Sequence, residues 1–157
     1  MTTNKITMKS KLVNIFFFTA ALIFSITGLA KLFSAFGSGR ILETPDPIVG
    51  IQFRYLLLLA GTAEIVVALT SLLFKNCHLK TGFIGCLTAL LVLYRFGLWF
   101  LNWHRPCSCL GNLTDMLHID PVTADYIMQM VLVYLFIGSC ASWIWILIQK
   151  RKEESAL

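Results

Sequence analysis

Polar and charged positions along this chain gather in a few short clusters, and between them run four stretches that are almost wholly apolar. They extend from about Leu12 to Phe33, Phe53 to Phe74, Thr81 to Leu101, and Tyr126 to Ile148. Because the runs are continuous, no helical or strand period stands out and length decides. Apolar runs of about 18 residues or more read as membrane spans. Lipid offers no hydrogen-bond partners to the backbone, so each span is predicted to be an α-helix. The fold class expected is an all-α membrane protein, one four-helix bundle covering residues 1–157 and embedded in a lipid bilayer. The two loops and two tails left over are too short for a separate soluble domain.

Composition agrees: 57% of the residues are hydrophobic and only 13% charged, which excludes an ordinary soluble domain. The net charge of +5 raises the question of nucleic acid, but its distribution answers no. Lys5, Lys9 and Lys11 precede the first span, Lys75 and Lys80 lie near the second connection, and Lys150, Arg151 and Lys152 follow the fourth span. With four spans these segments share one side of the membrane. The opposite loops mix Arg40 and Arg105 with Glu43, Asp46, Asp115 and Asp120. By the positive-inside rule both termini are cytoplasmic and the two larger loops face outward. In a bacterium this predicts a multi-pass protein of the inner membrane with periplasmic loops.

The first span follows a basic tail, as a signal peptide would. Its apolar core is longer than such peptides use, and no small-x-small cleavage site follows, so an uncleaved helix is expected. That helix closes with Gly28-Leu29-Ala30-Lys31, where Lys31 is expected to snorkel to the outer interface. Asp46-Pro47 and Asp120-Pro121 both read as a helix cap and first turn, so the second and fourth helices are expected to begin there. Glu64 lies about 16 Å below Phe53 on a straight helix, a depth at which a carboxylate needs a partner or a proton. Arg95, in the outer half of the third span, is the expected partner. The pair either fixes helix register or does chemistry: Glu64 relaying protons, Arg95 holding an anion or a carbonyl oxygen. Trp99 and Trp103 read as an interfacial aromatic belt, and Gly138, Ser139, Ala141 and Ser142 as small residues for close helix packing. No phosphate loop, dinucleotide fingerprint or hydrolytic carboxylate pair is present.

Of the five cysteines, Cys77 falls on the cytoplasmic side, and Cys86 and Cys140 within spans read as small buried hydrophobes. Cys107 and Cys109 lie in an outward loop, His104-Arg105-Pro106-Cys107-Ser108-Cys109-Leu110-Gly111. An oxidising compartment supports disulfide chemistry. A bridge across one intervening residue requires a sharp turn, which Pro106 and Gly111 favour, and a ring that tight is strained and labile. His104, Arg105 and Arg95 would lower a thiol pKa and favour the reactive thiolate. Two other readings stay open: a zinc or copper(I) site made by His104, Cys107 and Cys109 with His118 as a fourth ligand, and an inert bridge that trims the loop.

Gly28-x-x-Lys31 closing the first helix, Glu64 within the second, and Cys107-x-Cys109-x-Gly111 after the third give the chain its resemblance. From about Leu12 to Ile148 it resembles the MauE/DoxX-like family of redox-associated membrane proteins, although Leu110 stands where members often carry phenylalanine. The resemblance implies four spans, a thioredoxin-like partner outside the membrane, and an exported client such as the disulfide-rich small subunit of methylamine dehydrogenase. The layout is also similar to that of quinone-linked disulfide generators, but a second outward thiol pair is missing. Electrons would then pass directly between Cys107/Cys109 and a partner or a bound quinone. The expected function is disulfide exchange by Cys107 and Cys109, with His104, Arg105, Arg95 and Lys31 tuning the thiolate or contacting a ligand. The alternatives are a non-enzymatic scaffold for a periplasmic enzyme and a metal carrier.

Overall fold

In the computed structural model, residues 3–37, 40–74, 76–102 and 121–154 are described. They form helix α1 (Thr3–Ala35), a short 3-10 turn (Arg40–Glu43), α2 (Phe53–Leu73), α3 (Cys77–Phe100) and α4 (Pro121–Glu154), with no strand among them. The portions long and apolar enough to cross a membrane are Val13–Ala35, Phe53–Leu73, Cys77–Phe100 and Asp125–Arg151. Even the 21 residues of α2 rise about 32 Å, enough for a hydrocarbon layer of about 30 Å. The chain is a multi-pass, all-helical membrane protein, as its four apolar runs predict.

Helix boundaries depart from expectation where polar residues flank the runs. Helix α3 begins a turn earlier, at Cys77, after a link in which Phe74 and Asn76 are extended. Helix α4 does start at Pro121, where a missing N–H costs nothing. Helix α2 does not start at Pro47. Asp46 instead folds a turn: its Oδ1 accepts the N–H groups of Ile48 and Val49, each at 2.9 Å. Its carbonyl accepts the Gly50 N–H, and Gly50 takes the positive φ of 74° that closes the turn. The bonds Asp46 N–H to Ile51 O and Phe53 N–H to Thr44 O then return the chain to the start of α2. Asp-x-x with free N–H groups ahead caps a turn as readily as a helix, and here the turn wins.

The first connecting loop and the adjoining ends of α1, α2, α3 and α4 gather at one end of the bundle, called here the loop end. The α2–α3 connection marks the other, the link end. Helix α1 packs chiefly on α2, and α3 chiefly on α4. Toward the link end Phe16, Phe17, Ala20 and Phe24 of α1 meet Val67 and Ala68, Ile84 and Leu135 in the main apolar core. The Phe16 ring fills the notch at Gly138, where an added Cβ would lie 2.1 Å from Cε2. Buried hydroxyls here, such as Ser71, Thr81 and Thr88, bond carbonyls of their own helices, so they add no unmet polar group to the bundle. The outer surface is studded with large apolar side chains, as a lipid-facing surface requires. Cys86 and Cys140 belong to that exposed surface. They are not the buried residues expected, because the helix face they occupy turns away from the neighbouring helices.

Candidate functional site

The loop end collects the ionisable groups. Gly28 and Gly61 set its geometry: a Cβ on either would lie 3.0 Å from the other's carbonyl oxygen, so the two backbones run in contact. Each glycine precedes a charged residue by three positions, in Gly28-x-x-Lys31 and Gly61-x-x-Glu64. An i, i+3 spacing puts glycine and charge on one helix face, so the close approach brings the two charges to the same seam. Lys31 donates to Glu64 Oε1, and the pair is almost fully buried, at 5% and 2% side-chain exposure.

Direction explains why Lys31 does not reach outward as expected. Cα–Cβ bonds tilt toward the N-terminus of their helix. On α1 that tilt carries Lys31 away from the loop end, into the membrane, while on the oppositely running α2 it carries Glu64 toward it. The two side chains meet midway. The second carboxylate oxygen, Glu64 Oε2, is buried and has no hydrogen-bond partner among the described residues.

Arg95 is therefore not the partner of Glu64. It bonds Asp125 Oδ1 of α4 at 2.5 Å, in a half-buried pair whose other oxygen accepts from Gln129 at 3.0 Å. Beside it Tyr94 donates to Asp46 Oδ2 at 2.5 Å. Asp46 is only 2% exposed, and its carboxylate accepts three hydrogen bonds. The first loop is thus clasped to α3, and α3 to α4. Ile48 helps by sitting against Gly97, where a Cβ would come within 2.9 Å of Cδ1. Helix α3 then ends with Asn102 in the left-handed region at φ 54°, a conformation asparagine tolerates at a helix end.

Between α2, α3 and α4 lies a cavity of about 240 Å³. Its wall is mostly leucine and alanine, including Ala60, Ala63 and Leu90, with Lys31, Tyr94 and Arg95 as its polar members. Leu59 and Leu90, also in its lining, are 67% and 58% exposed, so the mouth opens on the lipid-facing surface.

Of the residues singled out in the sequence, Lys31, Glu64 and Arg95 come to this end of the bundle, with Lys31 and Arg95 on one cavity. His104, Arg105, Cys107 and Cys109 lie outside the described residues, as do Trp103, His118 and Asp120. Gly61, Tyr94 and Asp125 were not expected to take part. The repeat of Gly-x-x-Lys as Gly-x-x-Glu was the available signal for Gly61, and an acidic residue just before the fourth span was the signal for Asp125. Comparison with known proteins gives no match: no family model fits the chain, and no curated protein or solved structure resembles it.

Proposed function

We propose that this protein is the membrane component of a thiol–disulfide exchange system, with Cys107 and Cys109 as its reacting pair. The single observation that carries the reading is a Cys-Ser-Cys pair in the segment joining α3 to α4. Support comes from the bundle beneath, which gathers Lys31, Arg95, Tyr94, Asp46 and Asp125 at the end to which that segment connects. The motif order shared with MauE/DoxX-like proteins favours the same chemistry. The distribution of Lys and Arg favours cytoplasmic termini and a cysteine segment on the far side of the inner membrane.

In the exchange, a thiolate of one partner attacks the disulfide of the other and a mixed disulfide forms, expelling one thiolate. The remaining cysteine of the attacking pair displaces the second sulfur, so one pair leaves oxidised and the other as a dithiol. The partner is a thioredoxin-like protein, and the eventual client an exported protein with several disulfides.

The test is performed in a Cys77→Ser/Cys86→Ser/Cys140→Ser background, so that every trapped or labelled thiol is Cys107 or Cys109. Single Cys107→Ser and Cys109→Ser chains are expected to trap a mixed disulfide with an exported thioredoxin-like protein. A membrane-impermeant maleimide is expected to label the pair from outside the cell. Labelling only after permeabilisation, or full biological function in the double serine variant, overturns the proposal; the latter result would leave the scaffold reading in its place.

A further inference from the structure

We propose that the cavity between α2, α3 and α4 is a binding site for a neutral, carbonyl-bearing lipophile that enters from the bilayer. Three features define the ligand. The wall is almost entirely hydrocarbon and its mouth carries the exposed Leu59 and Leu90, so the ligand is a molecule already dissolved in lipid. A volume of about 240 Å³ falls below the roughly 300–1,000 Å³ that enclose a drug-sized ligand, and holds one ring or a short chain. The remainder of the molecule stays in the membrane.

The polar side of the site specifies the head. An ammonium carries three N–H donors, and Lys31 directs one to Glu64 Oε1, with no second acceptor among the described residues. Lys31 is 4% exposed and lines the cavity, so an unused donor at this depth calls for an acceptor oxygen. An anion is the weaker fit. Both cations on the wall already face carboxylates, Lys31 with Glu64 and Arg95 with Asp125, and Asp46 behind Tyr94 adds another, so the described residues leave no surplus of positive charge at the site. A carbonyl oxygen takes the hydrogen bond without adding charge, and the unpartnered Glu64 Oε2 beside Lys31 disfavours a negative head further. Ketones, esters and membrane quinones belong to the class.

This site does not rest on the thiol chemistry proposed above, and Cys107→Ser/Cys109→Ser is expected to bind the ligand as the unaltered chain does. The two proposals therefore fail separately. The experiment is titration calorimetry on the full chain in lipid nanodiscs, corrected with empty discs, using three probes of equal tail length: decylbenzoquinone, decylbenzene and decanoate. Decylbenzoquinone is expected to bind saturably, at least about tenfold more tightly than decylbenzene, the worth of one hydrogen bond to a charged donor. Decanoate is expected to bind no better than decylbenzene. Ala63→Phe, which fills the cavity, should abolish saturable binding. Lys31→Met/Glu64→Met removes donor and acceptor together and should reduce quinone affinity to that of decylbenzene. Absence of saturable binding by the unaltered chain, equal affinity for the quinone and the alkylbenzene, or preference for decanoate would each overturn the proposal, whatever the variants do.

Discussion

The two ends of the bundle are held by different physics. At the link end Phe16, Phe24, Ile84 and Leu135 interlock, and the buried hydroxyls of Ser71, Thr81 and Thr88 each donate to a carbonyl of their own helix. Helix meets helix there chiefly by shape, with one hydroxyl pair, Thr19 and Tyr134, and Lys80 over the Phe17 ring as its polar contacts, and with no ion pair among the described residues. At the loop end the seams between helices are crossed by charges: Lys31 to Glu64 joins α1 to α2, and Arg95 to Asp125 joins α3 to α4. An ionic seam in lipid is a costly way to fasten helices, since replacing a buried pair by apolar side chains is often neutral or stabilising. The difference teaches that the loop end is not built for stability first. It keeps a buried donor and an unpartnered carboxylate oxygen beside a cavity, which the link end, with its polar groups satisfied, does not.

Breaking the comparison begins with the pair itself. Glu64→Ala or Lys31→Ala leaves a charge stranded in a dry seam and is expected to destabilise the bundle by about 3–5 kcal/mol, read from chemical unfolding in detergent micelles. Lys31→Met/Glu64→Met is expected to recover most of that loss, and a double variant as unstable as either single would show that the pair contributes more than it costs. Next in size are the close approaches. Gly61→Val places side-chain atoms against the Gly28 carbonyl and Leu32 and should cost about 2–3 kcal/mol, with a wider α1–α2 separation by spin-label distance measurement. At the link end Gly138→Ala pushes into the Phe16 ring, for about 1–2 kcal/mol; Phe16→Leu in the same chain should relieve part of it. Tyr94→Phe removes one hydrogen bond to Asp46 and is expected to cost about 1 kcal/mol, with faster hydrogen exchange of the Ile48 and Val49 amides that share that carboxylate. Smallest is Asp125→Asn, which keeps a hydrogen-bond acceptor for Arg95 in a partly exposed pair and should cost under about 1 kcal/mol.

The sequence and the fold agree best where hydrocarbon alone decides. The spans were legible because a run such as Phe53 to Phe74 has no other stable place than lipid, and helix is its only allowed conformation there. The pairing of Glu64 was not, because Lys31 near the end of its apolar run reads as an outward anchor and leaves Arg95 as the expected partner of the two cations. Choosing between them depended on how near α1 approaches α2, which Gly28 and Gly61 set together and neither sets alone. Asp46-Pro47 misled for a related reason. A carboxylate ahead of free N–H groups carries the same local signal in a turn as in a helix cap, and only the long-range bonds from Asp46 to Tyr94 and from Phe53 to Thr44 distinguish them. The exposure of Cys86 and Cys140 is not legible, because a continuous apolar run carries no period to separate the face turned to lipid from the face turned to protein.

The Lys31–Glu64 contact also bears on how the chain enters the membrane as it is made. Lys31 leaves the ribosome 33 residues before Glu64, and a charged side chain raises the cost of insertion by up to about 2.5–3.5 kcal/mol at the centre of a span, where Glu64 lies, and by less near its end, where Lys31 lies. Pairing with Glu64 as α2 follows α1 into lipid cancels that charge, so α1 with α2 is expected to integrate more completely than α1 alone in a membrane-insertion assay. Truncation after α1 would leave a segment with an unmatched charge to hide, so the first span depends for its lodging on one not yet synthesised.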